Sequence, residues 1–208
     1  MEILFEDRDL IVAVKPCDLV SESTEKGDGF ADLLTAHTGG GYIGVVHRLD
    51  HGVGGVMVYA KTPRAAAALS EQIRTRRFEK EYLALVHGEV QKKCDTLRDL
   101  LFHDRIRNKT YVVDRERRGV KEAILDYVLV ERRESPEFGV HSLLRVTLHT
   151  GRTHQIRVQL ASRAHPLLGD GKYGASGDRC PIGLFCHRIG FLHPVTGKHV
   201  EFTKEWDR

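Results

Sequence analysis

Gly55-Val56-Met57-Val58-Tyr59-Ala60, followed after Lys61 by Thr62-Pro63 and then by Ala66, Leu69 and Ile73 on the way to Arg77, is the stretch that decides the fold class. Branched and aromatic side chains in the first six positions suit a pleated, half-buried strand. Thr62-Pro63 reads as a helix start: the hydroxyl can accept a bond from an orphan backbone N–H, and a proline in the first turn sacrifices no intrahelical donor. The apolar residues that follow recur at three- and four-residue spacing, which lines them up on one helix face. Strand and helix thus follow each other directly.

Outward from this stretch the same alternation continues irregularly. Leu10 to Val14 is a short strand-like run stopped by Lys15-Pro16, and Glu81 to Val86 is a second. Leu144 to His149 alternates apolar and polar residues, as a half-buried strand does. Thr153 is expected to cap another helix, with Ile156, Leu160 and Ala164 as its stripe and Pro166 as its stop. Hairpin-like spacing between strands and few crossover helices predict an α+β fold on a largely antiparallel, bent sheet flanked by helices and loops, rather than a doubly wound parallel one. No repeat, low-complexity tract or linker interrupts the chain, so residues 1–208 read as a single domain.

Composition narrows the function classes. A hydrophobic fraction of 41% with 29% charged residues is ordinary for a globular protein, and no apolar run approaches a membrane span. Glu2, Glu6 and Asp7 stand where a secretory signal would be basic. Cys17, Cys94, Cys180 and Cys186 form no Cys-x-x-Cys pair, which fits a reduced cytoplasmic setting. Twelve histidines raise the question of a metal; His47 and His51 share a His-x-x-x-His spacing, but without the glutamate of a His-Glu-x-x-His zinc motif, so no metal site is expected. The net charge of +3 is small, yet residues 105–121 hold seven basic residues against two acidic ones, a local excess of five. Such a run is either a solvated face or a nucleic-acid contact.

Three segments can carry chemistry. In Tyr42 to Gly55, an apolar run leads to His47-Arg48-Leu49-Asp50 and then to Gly52, Gly54 and Gly55, where the backbone can bend or approach a ligand closely. If Arg48 and Asp50 are extended, a cation and a carboxylate face the same way; a surface ion pair beside a turn is the equal alternative. In His149 to Val158, a strand ends at Gly151 and a helix starts, where backbone N–H groups together with Arg152 and Arg157 suit a phosphate. In Lys80 to Gly88, Tyr82 opens a strand and can stack on a base or simply fill a core.

Taken in order, these segments resemble the RluA-type pseudouridine synthases. The resemblance rests on Arg48-Leu49-Asp50, Ala60-Lys61, Lys80-Glu81-Tyr82-Leu83-Ala84-Leu85-Val86-His87-Gly88, Thr150 through Arg157, and Gly169-Asp170-Gly171-Lys172-Tyr173-Gly174. Ile3 to Asp7 with Lys15-Pro16, and Phe191 to Gly197, extend it to nearly the whole chain. The family resemblance implies an isomerase that converts uridine in structured RNA (tRNA or rRNA) to pseudouridine, without a cofactor. Asp50 would be the catalytic carboxylate, Tyr82 would pack against the target base, and Arg157 would pair with Asp50 to keep it ionised and oriented. Arg48 would fill the gap left by the extruded uridine. Further RNA contact is expected at Arg152, His154, Arg105, Arg107 and Lys109. A stand-alone catalytic domain without the small S4-like N-terminal RNA-binding domain is implied, acting as a monomer in the cytoplasm.

The sequence departs from the family pattern at three places. Val53-Gly54-Gly55 replaces Thr-Ser-Gly, Gln159 stands where a histidine is usual, and Phe185 replaces another. The lost hydroxyls beside Asp50 motivate an alternative, a catalytically silent RNA-binding protein on the same fold.

Overall fold

The computed structural model of the protein describes residues 1–175 and 177–207. Its elements in chain order are β1 (Glu2–Glu6), β2 (Leu10–Lys15), α1 (Phe30–His37), β3 (Gly44–Val45), β4 (Gly54–Ala60), α2 (Pro63–Arg74), β5 (Glu79–His87), β6 (Cys94–Asp104), β7 (Lys109–Val113), β8 (Val120–Ser135), β9 (Gly139–Leu148), α3 (Gln155–Ala161), β10 (Leu184–Leu192) and β11 (His199–Thr203). The fold class is α+β with mostly antiparallel strand pairing. They form two compact units, one of Met1–Lys80 with Phe185–Arg208 and the other of Glu81–Leu184.

In the first unit β4 is the central strand, and all seven of its residues are buried. It runs antiparallel to β2, from Leu10 opposite Ala60 to Lys15 opposite Gly55. At its other edge β3 pairs with Tyr59 and Ala60, while β10 pairs in parallel with Gly54 and Gly55. Burial on both faces explains why this stretch reads as an unbroken apolar run rather than an alternating one. Helix α2 starts as expected, Thr62 accepting a bond from the Ala65 N–H at 3.1 Å. It stops at Arg74, three residues short of Arg77, because Arg76 adopts a left-handed conformation (φ 59°). Its buried face is Ala65, Leu69 and Gln72. Gln72 acts as a polar clamp: its amide donates to the Leu192 carbonyl at 2.7 Å and accepts from the Leu192 N–H at 2.8 Å.

Helix α1 was not legible in the chain. Its N-cap is Gly29, which has no side chain to cap with; Asp32 accepts from the Gly29 N–H instead, at 2.9 Å. A Cβ at Gly29 would stand 1.8 Å from the Glu22 carbonyl oxygen, so the position admits glycine alone.

The second unit is an antiparallel sheet of order β5-β9-β8-β6-β7. The sixteen-residue β8 pairs with β6 along its first half and with β9 along its second. Helix α3 covers one face, Val158 packing on Leu101 of β6 and Ala123 of β8 with Tyr173 beside them. This helix differs from the expectation at both ends. Its N-cap is His154 in a left-handed conformation (φ 54°) with no side-chain cap, rather than Thr153, and it ends at Ala161, before the left-handed Ala164. The basic stretch 105–121 forms the turn after β6, strand β7, the turn into β8 and the start of β8.

Candidate active site

Asp50 lies in the loop between β3 and β4; β3 ends at Val45, so Arg48 to Asp50 belong to no strand. The loop is nonetheless tied at nearly every residue. Ser21 Oγ lies 3.0 Å from both the backbone N and the carbonyl O of Leu49. Gly52 N–H donates to the Cys17 carbonyl at 2.9 Å and Val53 N–H to the Asp50 carbonyl at 3.0 Å, closing a tight turn in which Gly52 takes φ 88°. Buried His47 accepts from the Val58 N–H at 3.2 Å and so pins the start of the loop to β4; burial holds its imidazole well below its ordinary pKa. Tyr59 Oη reaches back to the Ser21 carbonyl at 2.9 Å.

The glycines after Asp50 have a packing reason. A Cβ on Gly55 would lie 2.4–2.7 Å from the Cys186 backbone on β10, and φ is 132° there. On Gly54 it would lie 3.1 Å from the Lys15 carbonyl. Lys15 itself is fully buried, its ammonium donating to the Pro16 and Leu19 carbonyls at 2.7 Å each. Burial lowers its pKa to about 8, opposed by the nearby charges of Cys17, Asp18 and Asp50. Asp50 is therefore presented next to a buried cation on a braced loop. Arg48 projects outward, two-thirds exposed, and pairs with the half-exposed Glu22 at 3.0 Å.

In the second unit Tyr82 is buried on β5 opposite Val146. Arg157 is buried on α3, and its Nε and Nη2 donate to Asp170 Oδ2 and Oδ1 at 2.7 and 2.8 Å. Asp170 is fully buried. The guanidinium also stands over the Tyr173 ring, 5.2 Å from its centroid, while Lys109 approaches the same ring at 5.3 Å. Tyr173 Oη accepts from the Thr110 N–H at 2.7 Å and lies 2.9 Å from His154 Nδ1. A fork-to-fork carboxylate pair and an aromatic face fix the plane of Arg157 from two directions.

Of the two arginines expected to meet a phosphate at the start of α3, Arg157 is directed elsewhere. Arg157 is spoken for by Asp170, and the turn before the helix is closed by its own bonds: Arg152 N–H to Gln155 Oε1 at 3.0 Å and Gln155 N–H to the Arg152 carbonyl at 3.1 Å. Arg152 is half-buried with Nε on the Glu122 carbonyl, His154 is buried, and Arg105 and Arg107 are exposed at the β6–β7 turn. Asp170 and Tyr173 have no role assigned by the motif order alone; their i, i+3 spacing beyond an arginine motif is the signal the sequence holds. The departures also have structural settings. Gln159 is fully buried and donates to Asp99 at 2.7 Å, and Phe185 stacks on Trp206 at 5.6 Å. Among the described residues no three His, Cys, Asp or Glu side chains gather as a metal site, and no helix is long and apolar enough to cross a membrane.

A family model described as RNA pseudouridylate synthase matches residues 9–162. The chain belongs to that family. Its members are isomerases that modify RNA. An uncharacterized RNA pseudouridine synthase of Aquifex aeolicus is 35% identical, covering 99% of this chain and 69% of that protein. The ribosomal large subunit pseudouridine synthase D of Xylella fastidiosa is 37% identical over 94% of this chain and 62% of its own length. The chain thus spans about two thirds of the curated relatives it matches. Among solved structures, human RNA pseudouridylate synthase domain containing 1 shares the fold with a TM-score of 0.82 at 23% identity, covering 98% of this chain and 82% of its own.

Proposed function

We propose that this chain isomerises uridines within structured RNA, tRNA or rRNA, to pseudouridine, with Asp50 as the catalytic carboxylate and the two units acting as one catalytic domain. The C1′–N1 bond of the uridine breaks, the base turns, and a C1′–C5 bond forms; the C5 hydrogen leaves to solvent as N1 takes up a proton. The overall change is balanced, so no redox partner or energy donor is consumed. A carboxylate held in one place is what such a step requires, whether it attacks a carbon or abstracts a proton.

The observation that carries this reading is the bracing of the Asp50 loop by Ser21, Cys17 and His47, which spends buried polar groups on the position of a single side chain. Arg157, held in plane by Asp170 and Tyr173, is proposed to act as the partner of Asp50 that keeps the carboxylate ionised and oriented. Tyr82 is proposed to pack against the target base and Arg48, already at the surface, to fill the space the uridine leaves. Arg105, Arg107, Lys109 and Arg152 are proposed to meet the RNA backbone, with His154 holding the Arg152 turn from beneath through Tyr173. The protein is proposed to work as a cytoplasmic monomer. Cellular RNA carrying tritium at uridine C5 tests the reading: release of label by the protein and its loss in Asp50→Ala support it, whereas no release from any RNA fraction overturns it.

A further inference from the structure

The basic β6–β7–β8 region contains a cavity whose lining joins Arg105 and Arg152 to residues that the reading above leaves without a role. It has a volume of about 270 Å³ and is lined by Leu101, His103, Thr110, Lys121 and the turns that hold Arg105 and Arg152. The strand register explains how it forms. Leu101 stands opposite Lys121 and His103 opposite Thr110, so the period-two alternation of a sheet sends these four side chains to one face. On that face α3 packs over Leu101, and beyond its end the Thr150–Thr153 turn forms the far wall.

Three cations from three separate elements meet here: Arg105 from the β6–β7 turn, Lys121 from β8 and Arg152 from the turn before α3. Among the described residues no carboxylate lines the cavity. Among the described residues none of the three makes an ion pair, although their neighbours do: Arg98 pairs with Glu122 at 2.9 Å, and Arg107 lies 3.9 Å from Asp104. Glu122, adjacent to Lys121 in sequence, is on the opposite face of β8, and only its backbone carbonyl meets Arg152, at 2.9 Å. That bond uses one of the five donors of the Arg152 guanidinium and fixes its position. The walls are also rigid: the Thr110 hydroxyl donates to the Thr153 carbonyl at 2.9 Å, and the Thr110 N–H donates to Tyr173. Converging, uncompensated positive charges on a fixed frame cost stability unless an anion completes them.

We propose that this cavity is a phosphate-binding site that grips the sugar–phosphate backbone of the RNA substrate, holding one phosphodiester between Arg105, Lys121 and Arg152. The proposal rests on the RNA-modifying reading above. It goes beyond a general basic surface by naming which cations act together and by adding Lys121, while leaving Arg115, Arg117 and Arg118 to the outer field.

The test uses the full chain and fluorescein-labelled octauridine, with binding followed by anisotropy between 50 and 300 mM KCl. Arg105→Ala/Lys121→Ala should weaken binding at least tenfold at the low end and flatten the slope of log affinity against log salt by about 0.7, the value for one phosphate on a single strand. Arg115→Ala/Arg118→Ala removes the same charge outside the cavity and should weaken binding less than threefold. Equal losses in the two double variants overturn the proposal, since net charge alone would then account for binding. Complete displacement of octauridine by uridine monophosphate at matched ionic strength also overturns it, because the cavity would then be a free-nucleotide site. In tritium release, Arg152→Gln should raise KM while leaving kcat within about twofold. If the unaltered protein releases no tritium, the catalytic reading fails while the binding contrast still decides the cavity; if tritium is released but the cavity variants bind as well as the parent, only the cavity proposal fails.

Discussion

Asp170→Asn is the sharpest probe of how the second unit is organised. The change keeps the shape of the side chain and one acceptor oxygen but removes the charge that Arg157 Nε and Nη2 face at 2.7 and 2.8 Å. Asp170 is fully buried and Arg157 is 5% exposed, so solvent cannot replace the lost carboxylate. Withdrawing one member of a buried pair costs about 3–5 kcal/mol, since a desolvated cation is left against a neutral amide. At roughly 2–4 °C per kcal/mol for a chain of this size, the melting temperature should fall by about 6–20 °C. The amide N–H₂ adds a repulsive contact with the guanidinium, which pushes the result toward the upper end.

A thermodynamic cycle isolates the pair from the rest of the site. Arg157→Met, Asp170→Leu and the double variant, followed by urea denaturation, should give a coupling of at least about 2 kcal/mol, because the double variant buries no charge at this position. A destabilisation below about 1 kcal/mol for Asp170→Asn, together with a coupling near zero, would refute the claim that this pair sets Arg157. Turnover should fall with it, through Arg157 and not through any contact between Asp170 and RNA.

Other outcomes follow from single contacts. Gly55→Ala places a Cβ within 2.4–2.7 Å of the Cys186 backbone at φ 132°, and should yield insoluble protein or a melting temperature lowered by more than about 10 °C in circular dichroism. Tyr173→Phe keeps the ring over Arg157 but leaves the Thr110 N–H without its acceptor, a cost of about 1–3 kcal/mol by chemical denaturation. Lys15 has its pKa lowered by burial to about 8 from 10.5. Below pH 8 both folded and unfolded chains hold the proton, so this group adds no pH dependence; from pH 8 to 10.5 only the unfolded chain does, so stability rises with pH. Between pH 7.5 and 9.5 the parent should gain about 2 kcal/mol relative to Lys15→Met in guanidinium denaturation, and a flat difference would count against a buried ammonium.

The parts of the fold legible in the chain are those whose local signals and tertiary contacts agree. β2, β4 and β5 carry apolar strand-like runs, β9 alternates with period two and α2 starts at a capped Thr-Pro, and the packing leaves these patterns unchanged. The remaining elements have local signals that tertiary contacts override. Helix α1 is capped by a glycine whose partner is the later Asp32, and α3 begins at a left-handed histidine held by a tyrosine 19 residues away. β6 to β8 carry exposed charges on one face, so a stretch that is strand reads as a run of basic residues.

The site follows the same rule. Asp50, Tyr82 and Arg157 are proposed from the order of motifs, but what fixes Arg157 is not readable there, because spacing does not say which carboxylate a buried arginine meets. Physical necessity limits the choice: an arginine inside a core must find an acid, and that acid must itself be buried. Gly169-Asp170-Gly171-Lys172-Tyr173-Gly174 meets both demands in one turn, since the Tyr173 N–H closes on the Asp170 carbonyl at 3.1 Å and brings carboxylate and ring onto the same guanidinium. Gly169, at φ 70° and with a would-be Cβ 2.5 Å from the Cys180 and Pro181 carbonyls, allows the chain to enter that turn. Its first glycine, its acid and its tyrosine therefore answer to one requirement, the orientation of a single arginine 13 residues upstream of Asp170.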